Sequence, residues 1–501
     1  MVYFYIFLYF LYFKCVILYR VNWNLNKNRV KIDRVVKNMA KIKSVFICQE
    51  CGYESPKWMG KCPDCSNWNT FTEEQVVQQN KSIKESIKVR QLSKKPIKKL
   101  SEVTSSKSDR IVTGISEFDR VMGGGIVKDS ITIITARPGA GKSTLLLQVA
   151  DNIARSGHKV IYASGEESDS QIKNRADRIL DKINDNIWVV QETSMDNVVD
   201  AVNEIDPDLL IIDSIQTFTM ENALPARAGS PTQTMECANE LLRIAKDDKR
   251  QRAVIIVGQM TKADELAGLR ALEHLVDTVL IIECDTDEEL RGLISSKNRF
   301  GSTGETGFFQ MSEKGMMSID NPSEFFMTKR EEGEIVSGST LTVIKEGSRP
   351  IITEVESLVS KTFTPYPTRI GETLGKDKLN TLISILEQRG GINLYDKNVI
   401  IKTTGGMRIK EQGINLAVIM SIVSSVKQRG IEANIAFIAD VGLTGELKKV
   451  PSIEIRVKEL ARMGFKKVYV AKDSFSKEVK IPNIKIMSMK TLNDVIADVY
   501  K

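Results

Sequence analysis

The chain has 501 residues, 42% hydrophobic and 27% charged, which is the composition of a soluble globular protein able to bury full cores in about three domains. Its net charge of +7 is uneven: residues 1–40 carry seven Lys/Arg against one Asp, and residues 81–110 carry ten against three acids, so the remainder is net acidic. That excludes a basic surface spread over the whole chain and confines any such argument to particular segments.

The first twenty residues, MVYFYIFLYFLYFKCVILYR, contain nine aromatics. The run is barely long enough for a membrane helix and is broken by Lys14. It also lacks the basic start and small-residue cleavage site of a signal peptide. Met39, in NMAKIKSVFICQEC, offers a fresh start just before a recognisable domain. We expect residues 1–38 to be a non-native leader or a misassigned start, with a membrane anchor as the alternative. On the first of these readings the protein is cytoplasmic and has no membrane partner.

Four of the seven cysteines lie in CQECGYESPKWMGKCPDC, where Cys48 and Cys51 form one C-x2-C pair and Cys62 and Cys65 the other. Two such knuckles complete a thiolate tetrahedron around Zn²⁺, and four thiolates leave no open position, so the zinc is structural. Two disulfides are the competing reading, but nothing else in the chain suggests an oxidising compartment. We expect a zinc ribbon over 45–72, with Trp58 and Trp68 as its miniature core or, alternatively, as stacking residues for a base or a partner. Residues 73–108 are Lys-rich, poor in aromatics and without a steady period, which predicts a flexible basic tether.

The stretch ITIITARPGAGKSTLLLQVADNIARSG is the strongest signal in the chain. A β-branched run over 131–135 ends in a turn, Ala136, Arg137, Pro138, Gly139, Ala140, Gly141, Lys142, Ser143 and Thr144, and then a helix. The pattern is that of the phosphate loop, with Ala136 where the first Gly belongs. Backbone N–H groups around Gly139 and Gly141 can ring a phosphate, Lys142 can reach the β- and γ-phosphates of ATP, and Ser143 can ligate Mg²⁺. Three further apolar strands deliver polar ends: Glu166 and Glu167 after KVIYASGEES, Asp213 after DLLIIDS, and Gln259 after AVIIVGQ. In a parallel α/β sheet these ends gather on the edge that carries the phosphate loop. Asp213 is the expected Mg²⁺-side carboxylate, Glu166 the candidate to orient the attacking water, and Gln259 a candidate γ-phosphate sensor. The ATPase domain is expected over 109–335.

Further on, LISSKNRFGSTGETGFF places Lys297 and Arg299 two positions apart. Alternation along a strand puts both on one side, and by itself the pair reads as a solvated strand end. Together, TGISEFDRVMGGGIVKDSITIITARPGAGKST, SGEES, IIDSIQT, LEHLVDTVL and KNRFGST resemble the bacterial RadA (Sms) family of DNA-repair proteins. The resemblance runs from about residue 39 to the C-terminus.

It implies a small zinc ribbon, a RecA-like P-loop ATPase core with a mostly parallel sheet, and an α/β Lon-protease-like domain over 340–501. It also implies a homo-oligomeric ring, with a hexamer as the expected form, and a DNA-dependent ATPase of homologous recombination that drives branch migration or unwinding. The partners it implies are single-stranded and branched DNA and a RecA-type recombinase. In such rings cations from a neighbouring subunit reach the γ-phosphate, and Lys297 and Arg299 resemble that pair. Two positions depart from the family pattern: Ala136 opens the phosphate loop, and Gln259 stands where the family usually has His.

DNA is expected on loops 217–235, which offers Arg227, and 260–275, which offers Lys262 and Arg270. In the C-terminal domain the resemblance places Asn415 where a Lon protease has its nucleophilic Ser and Arg456 where it has its Lys. An amide is no nucleophile and Arg cannot act as a base, so the domain is expected to be proteolytically inactive. Lys448, Lys449, Arg456, Lys458 and Arg462 would then offer cations to DNA or form a solvated helix face. The alternatives to a DNA motor are an ATP-assembled regulator without motor activity and an ATP-dependent protease.

Overall fold

Three principal sheets organise the residues that the computed structural model describes, namely 42–48, 53–77, 99, 101, 110–259, 270–284, 289–330, 334–406, 411–475 and 480–501. The expected leader over 1–38 lies outside the described residues, as does most of the expected tether. Among the described residues no helix is long and apolar enough to cross a membrane.

The first sheet joins β1 (Ile42–Cys48), β2 (Glu54–Ser55) and β3 (Phe71–Val77) in the order β2-β1-β3. β3 pairs with β1 from Cys48↔Phe71 to Ile42↔Val77, so the ribbon continues past the expected boundary at 72. Its interior is filled by Cys48, Cys62 and Phe71, with Phe46, Met59 and Cys65 against them. The expectation that Trp58 and Trp68 form this core is corrected: they are 54% and 69% exposed. The converging thiols and one phenyl ring occupy the small interior, and two indoles remain outside.

The ATPase-type unit opens with β4 (Arg110–Ile111), α1 (Ser116–Met122), β5 (Ile126–Val127), β6 (Ile131–Ala136) and α2 (Lys142–Arg155). It continues through β7 (Val160–Ser164), α3 (Asp169–Ile179), β8 (Ile187–Gln191), α4 (Met195–Ile205), β9 (Leu209–Asp213), α5 (Pro231–Ala245) and β10 (Ala253–Gln259). α6 (Arg270–Leu275), β11 (Thr278–Glu283), β12 (Leu290–Asn298), β13 (Thr306–Ser312) and β14 (Gly315–Ser318) complete it. The sheet order is β14-β13-β12-β11-β6-β10-β9-β7-β8; β11 through β8 run parallel, and β12, β13 and β14 extend the edge antiparallel.

β6 and β9 are buried at every position, and β10 at every position before Gln259. Their near-continuous apolar runs are what a strand covered on both faces requires. One face packs Leu145, Leu146 and Val149 of α2 with Phe118 of α1, and the other packs Val198 of α4 with Cys237 and Leu241 of α5. This is the mostly parallel α/β architecture expected.

The C-terminal unit follows α7 (Pro322–Phe325) with β15 (Ile335–Val336), β16 (Ser339–Glu346), β17 (Arg349–Lys361), β18 (Arg369–Gly371), α8 (Lys376–Gly390) and β19 (Lys397–Thr403). Then come α9 (Asn415–Lys427), β20 (Ile431–Glu432), β21 (Ile435–Ile438), β22 (Asp440–Val441), β23 (Leu447–Lys448), α10 (Ile453–Arg462), β24 (Lys467–Ala471), β25 (Lys485–Met489) and α11 (Leu492–Val499). Its mixed sheet has the order β18-β19-β17-β16-β21-β24-β25, with α8, α9 and α11 contributing to one core and α10 to the other. Phe326 belongs to the first core and β15 pairs with β20, so the unit starts before the expected residue 340. Glu117 of α1, 2% exposed, accepts from Arg120 and from Arg349 of β17, and this joins the two units.

Candidate functional site

At the end of β6 the chain turns through two residues with positive φ, Gly139 at 79° and Gly141 at 101°. Only glycine adopts such angles without strain. A Cβ on Gly141 would also overlap Met311 Cε and press on Met316, both from the β13–β14 hairpin. α2 then begins at Lys142, with its unsatisfied N–H groups facing the loop. Lys142 Nζ donates to the Ala136 carbonyl at 3.1 Å, inside the loop it would serve. Burial lowers its pKa against the pull of Asp213 and Glu166. The carbonyl of Ala136, rather than its side chain, makes the contact, and its methyl group is buried at the end of β6.

Two carboxylates converge on this loop from neighbouring strands. Asp213, ending β9, accepts from Ser143 Oγ at 2.8 Å and from the Tyr162 hydroxyl at 2.5 Å. Burial raises the Asp213 pKa, and the bonds from Tyr162 and Ser143 offset part of that rise. Glu166, just past β7, accepts from the Ser214 hydroxyl and from Gln259 Nε2 at 2.8 Å. Its neighbour Glu167 is engaged elsewhere, in a bidentate pair with Arg175 of α3. Lys142, Ser143, Glu166, Asp213 and Gln259 therefore meet on one edge of the sheet.

Sequence reasoning did not single out Tyr162, Ser214 or Arg175. A tyrosine inside an otherwise apolar buried strand was the available signal, because a buried phenol needs a partner.

Lys297 and Arg299 lie at the opposite edge. Asp277 donates its N–H to the Ile131 carbonyl, at the start of β6, and the strand's length separates that point from the phosphate loop by about 17 Å. The reading of the pair as a solvated strand end is corrected for Lys297, while Arg299 keeps 54% of its side chain exposed beside its partner. Lys297 Nζ donates to the carbonyls of Glu273, at 2.5 Å, and Val276, at 2.8 Å, closing the C-terminal end of α6. Arg299 pairs at 3.1 Å with Asp277, whose carboxylate also meets Lys246 at 3.2 Å and the Ile131 N–H at 3.2 Å. The cause is the exposed C-terminal carbonyls of α6 and the buried Asp277, which both demand cations. Strand alternation does not govern Arg299, because β12 ends at Asn298.

The expected DNA loop 217–235 is stapled by Gln233, which is fully buried and bonds to the N–H and C=O of Met220 and the C=O of Ala226. Arg227 stays exposed beside it. Residues 260–269, with Lys262, lie outside the described residues, and so does the side chain of Arg270.

In the ribbon, the Sγ atoms of Cys48, Cys62 and Cys65 all lie within 4.8 Å of one another, and those of Cys48 and Cys65 are 3.6 Å apart. A tetrahedral zinc with Zn–S bonds of ~2.3 Å has S···S edges of ~3.8 Å, so the thiols fit that ion. Cys51 lies outside the described residues. Thr70 Oγ1, 3.1 Å from Cys48 Sγ, is placed to donate to a metal-bound thiolate.

In the C-terminal unit Asn415 donates to Asp440 at 2.7 Å. Arg456 is 2% exposed, pairs with Glu411, and donates to the carbonyls of Val343 at 2.7 Å and Pro451 at 3.1 Å. Its assignment as a cation for DNA is corrected: it is spent on the interior. Lys458 and Arg462 pair with Glu454 and Glu459, each at 2.7 Å, whereas Lys448 and Lys449 are exposed.

Comparison with known proteins places these features. The AAA domain family model matches residues 97–265, and the Rubredoxin metal binding domain model matches residues 46–73. The DNA repair protein RadA of Bacillus subtilis is 41% identical over 461 residues, covering 91% of this chain and 99% of its own. That of Streptococcus pyogenes is 41% identical over 462 residues, 92% of this chain and 100% of its own, and that of Listeria monocytogenes 39% over 463 residues, 91% and 99%.

Proposed function

Because the chain belongs to the RadA family of DNA repair proteins, we propose that it is an ATP-hydrolysing motor that acts on single-stranded and branched DNA in recombination and repair. One observation carries the reading. The groups that would hold and cleave ATP gather at one sheet edge, while Lys297 and Arg299 sit about 17 Å away at the other. Such an ATPase is complete only where the two edges of neighbouring subunits meet, as in a ring of copies; a hexamer is the expected form.

In that arrangement Lys142 and the loop over 136–144 hold the phosphates of ATP. Ser143 and Asp213 would hold Mg²⁺, which when bound neutralises charge on the β- and γ-phosphates. Glu166, positioned by Ser214 and Gln259, orients the attacking water and accepts its proton. Lys297 and Arg299 of a neighbouring copy supply positive charge as it builds on the γ-phosphate. The ribbon thiols hold zinc structurally.

DNA is read through phosphates from the loop carrying Arg227 and from residues 260–275, so binding is largely independent of sequence. The C-terminal unit, Lon-protease-like by resemblance, serves assembly rather than proteolysis, since Asn415 and Arg456 offer neither nucleophile nor base.

The test is ATP turnover with and without single-stranded DNA, together with strand displacement on forked and three-stranded DNA. Strong stimulation with displacement is expected. ATP-dependent assembly without stimulation would replace the motor by a regulator, and casein cleavage by the unaltered protein would restore the protease.

A further inference from the structure

The ribbon leaves its two largest side chains outside a core of Cys48, Cys62 and Phe71. The two indoles meet at Gly60, where a side chain would lie 3.7 Å from Trp68 Cζ3 and 3.8 Å from Trp58 Cη2. Gly60 thus lies between the two aromatic rings, both within van der Waals reach of its Cβ position.

Trp68 is held by backbone pairing beside the Cys62 and Cys65 thiols. Lys61 bridges to Trp68, and the Asn69 N–H donates to the Gly60 carbonyl at 2.8 Å. Charge surrounds the shelf as well. Lys61 Nζ lies 5.9 Å from the centroid of the Trp68 ring, and exposed Lys57 adjoins Trp58 in the chain. The segment that follows the ribbon, residues 81–110, is strongly basic.

We propose that Trp58 and Trp68 form a stacking shelf for the unpaired bases of single-stranded nucleic acid, with Lys57 and Lys61 facing its phosphates. Exposed aromatics beside cations suit this ligand because every base offers a π-face, so stacking is strong and tolerant of sequence. An apolar protein segment would also cover indoles, but it gains nothing from the adjoining ammonium groups and the basic segment. A duplex keeps its bases stacked on one another and is not recognised this way. The inference rests on the DNA-acting reading above and adds a contact outside the ATPase core.

The experiment uses the full-length, zinc-loaded protein and compares its binding of an oligothymidylate with that of an abasic strand of equal length, by fluorescence anisotropy. The wild type is expected to prefer the base-bearing strand. A double Trp58→Ala, Trp68→Ala variant should lose that preference and bind oligothymidylate about ten- to a hundredfold more weakly, with zinc content and DNA-free ATPase unchanged. Should the alanine variant lose zinc, Trp58→Phe with Trp68→Phe replaces it, and partial retention of the preference is expected.

Equal binding of both strands by the wild type overturns the shelf, as does unweakened binding by a zinc-loaded alanine variant. Loss of a protein partner with DNA binding intact overturns it in favour of a protein-docking face. A wild type whose ATPase ignores DNA fails the motor reading instead, which the DNA-stimulated assay on the same samples distinguishes.

Discussion

Gln259 donates to Glu166 Oε1 at 2.8 Å across 93 residues of chain, and this bond, with that from Ser214, aims one of two adjacent carboxylates at the phosphate loop. The other, Glu167, is turned away by Arg175. Glu166→Gln should therefore bind ATP and lower turnover by about 10²–10⁴-fold, the range of a lost general base. Gln259→Ala should give a smaller loss, because Ser214 still holds the carboxylate. Glu167→Gln should leave the chemical step close to wild type, and single-turnover hydrolysis checks all three. A slow Glu167→Gln with a normal Glu166→Gln would reverse the assignment.

The phosphate loop and the three strand ends were legible because glycines, a lysine and apolar runs of fixed length carry the signal locally. The choice between Glu166 and Glu167 was guided only by position, and Arg175, which engages Glu167 in space, sits on the next helix. Burial of charge was not legible. Arg456 reads as a surface cation on α10, yet Glu411 and two carbonyls take it inside. The ribbon misled in the other direction, since tryptophans near cysteines suggest a core that the thiols and Phe71 already fill.

Tyr162 ties Asp213 to its charged form. Burial has raised the Asp213 pKa, so the carboxylate protonates at a higher pH than an ordinary Asp, and magnesium-dependent ATP binding should fall as pH drops through that value. Tyr162→Phe removes a bond that favours the charged form, so the same fall should begin at higher pH. The magnesium dependence of turnover, measured across the acid limb, checks the sign. An unmoved or lowered midpoint would show that the hydroxyl does not govern Asp213.

Arg456→Met should destabilise the C-terminal unit by about 3 kcal/mol, the low end for severing a buried ion pair, because Glu411 keeps partial access to water. Urea unfolding reads this loss. DNA affinity under native conditions should hold, since Arg456 presents nothing to a phosphate. Restoring Ser at Asn415 and Lys at Arg456 should yield no peptidase activity, because Lys cannot reproduce the bonds to Glu411, Val343 and Pro451 that shape the region.

Cys62→Ser with Cys65→Ser should abolish zinc retention and unfold the ribbon alone, since so small a unit lacks a core without its metal. Metal analysis of the purified variant reads the first effect and nucleotide binding, expected to be normal, the second. Zinc retained at the wild-type level would exclude these thiols as ligands.

Lys297 and Arg299 give the sharpest test, because the structure holds them at the wrong edge of the sheet for their own phosphate loop. Changing either to Ala should spare ATP binding, since Lys142 and the loop amides remain, while turnover falls by as much as about 10³–10⁵-fold, the contribution of comparable arginine fingers. The two need not behave alike. Lys297 closes α6 and Arg299 neutralises buried Asp277, so a thermal-melt control must show that each variant stays folded. Mixing then separates the possibilities. Subunits lacking Lys142 and subunits lacking Arg299 are each inactive alone, but a mixed ring contains interfaces where an intact loop faces an intact Arg299. Recovery of ATPase on mixing is the expected outcome. Absence of recovery, with co-assembly of the two variants demonstrated, would confine Arg299 to its pairing with Asp277 and remove the case for a site shared between subunits.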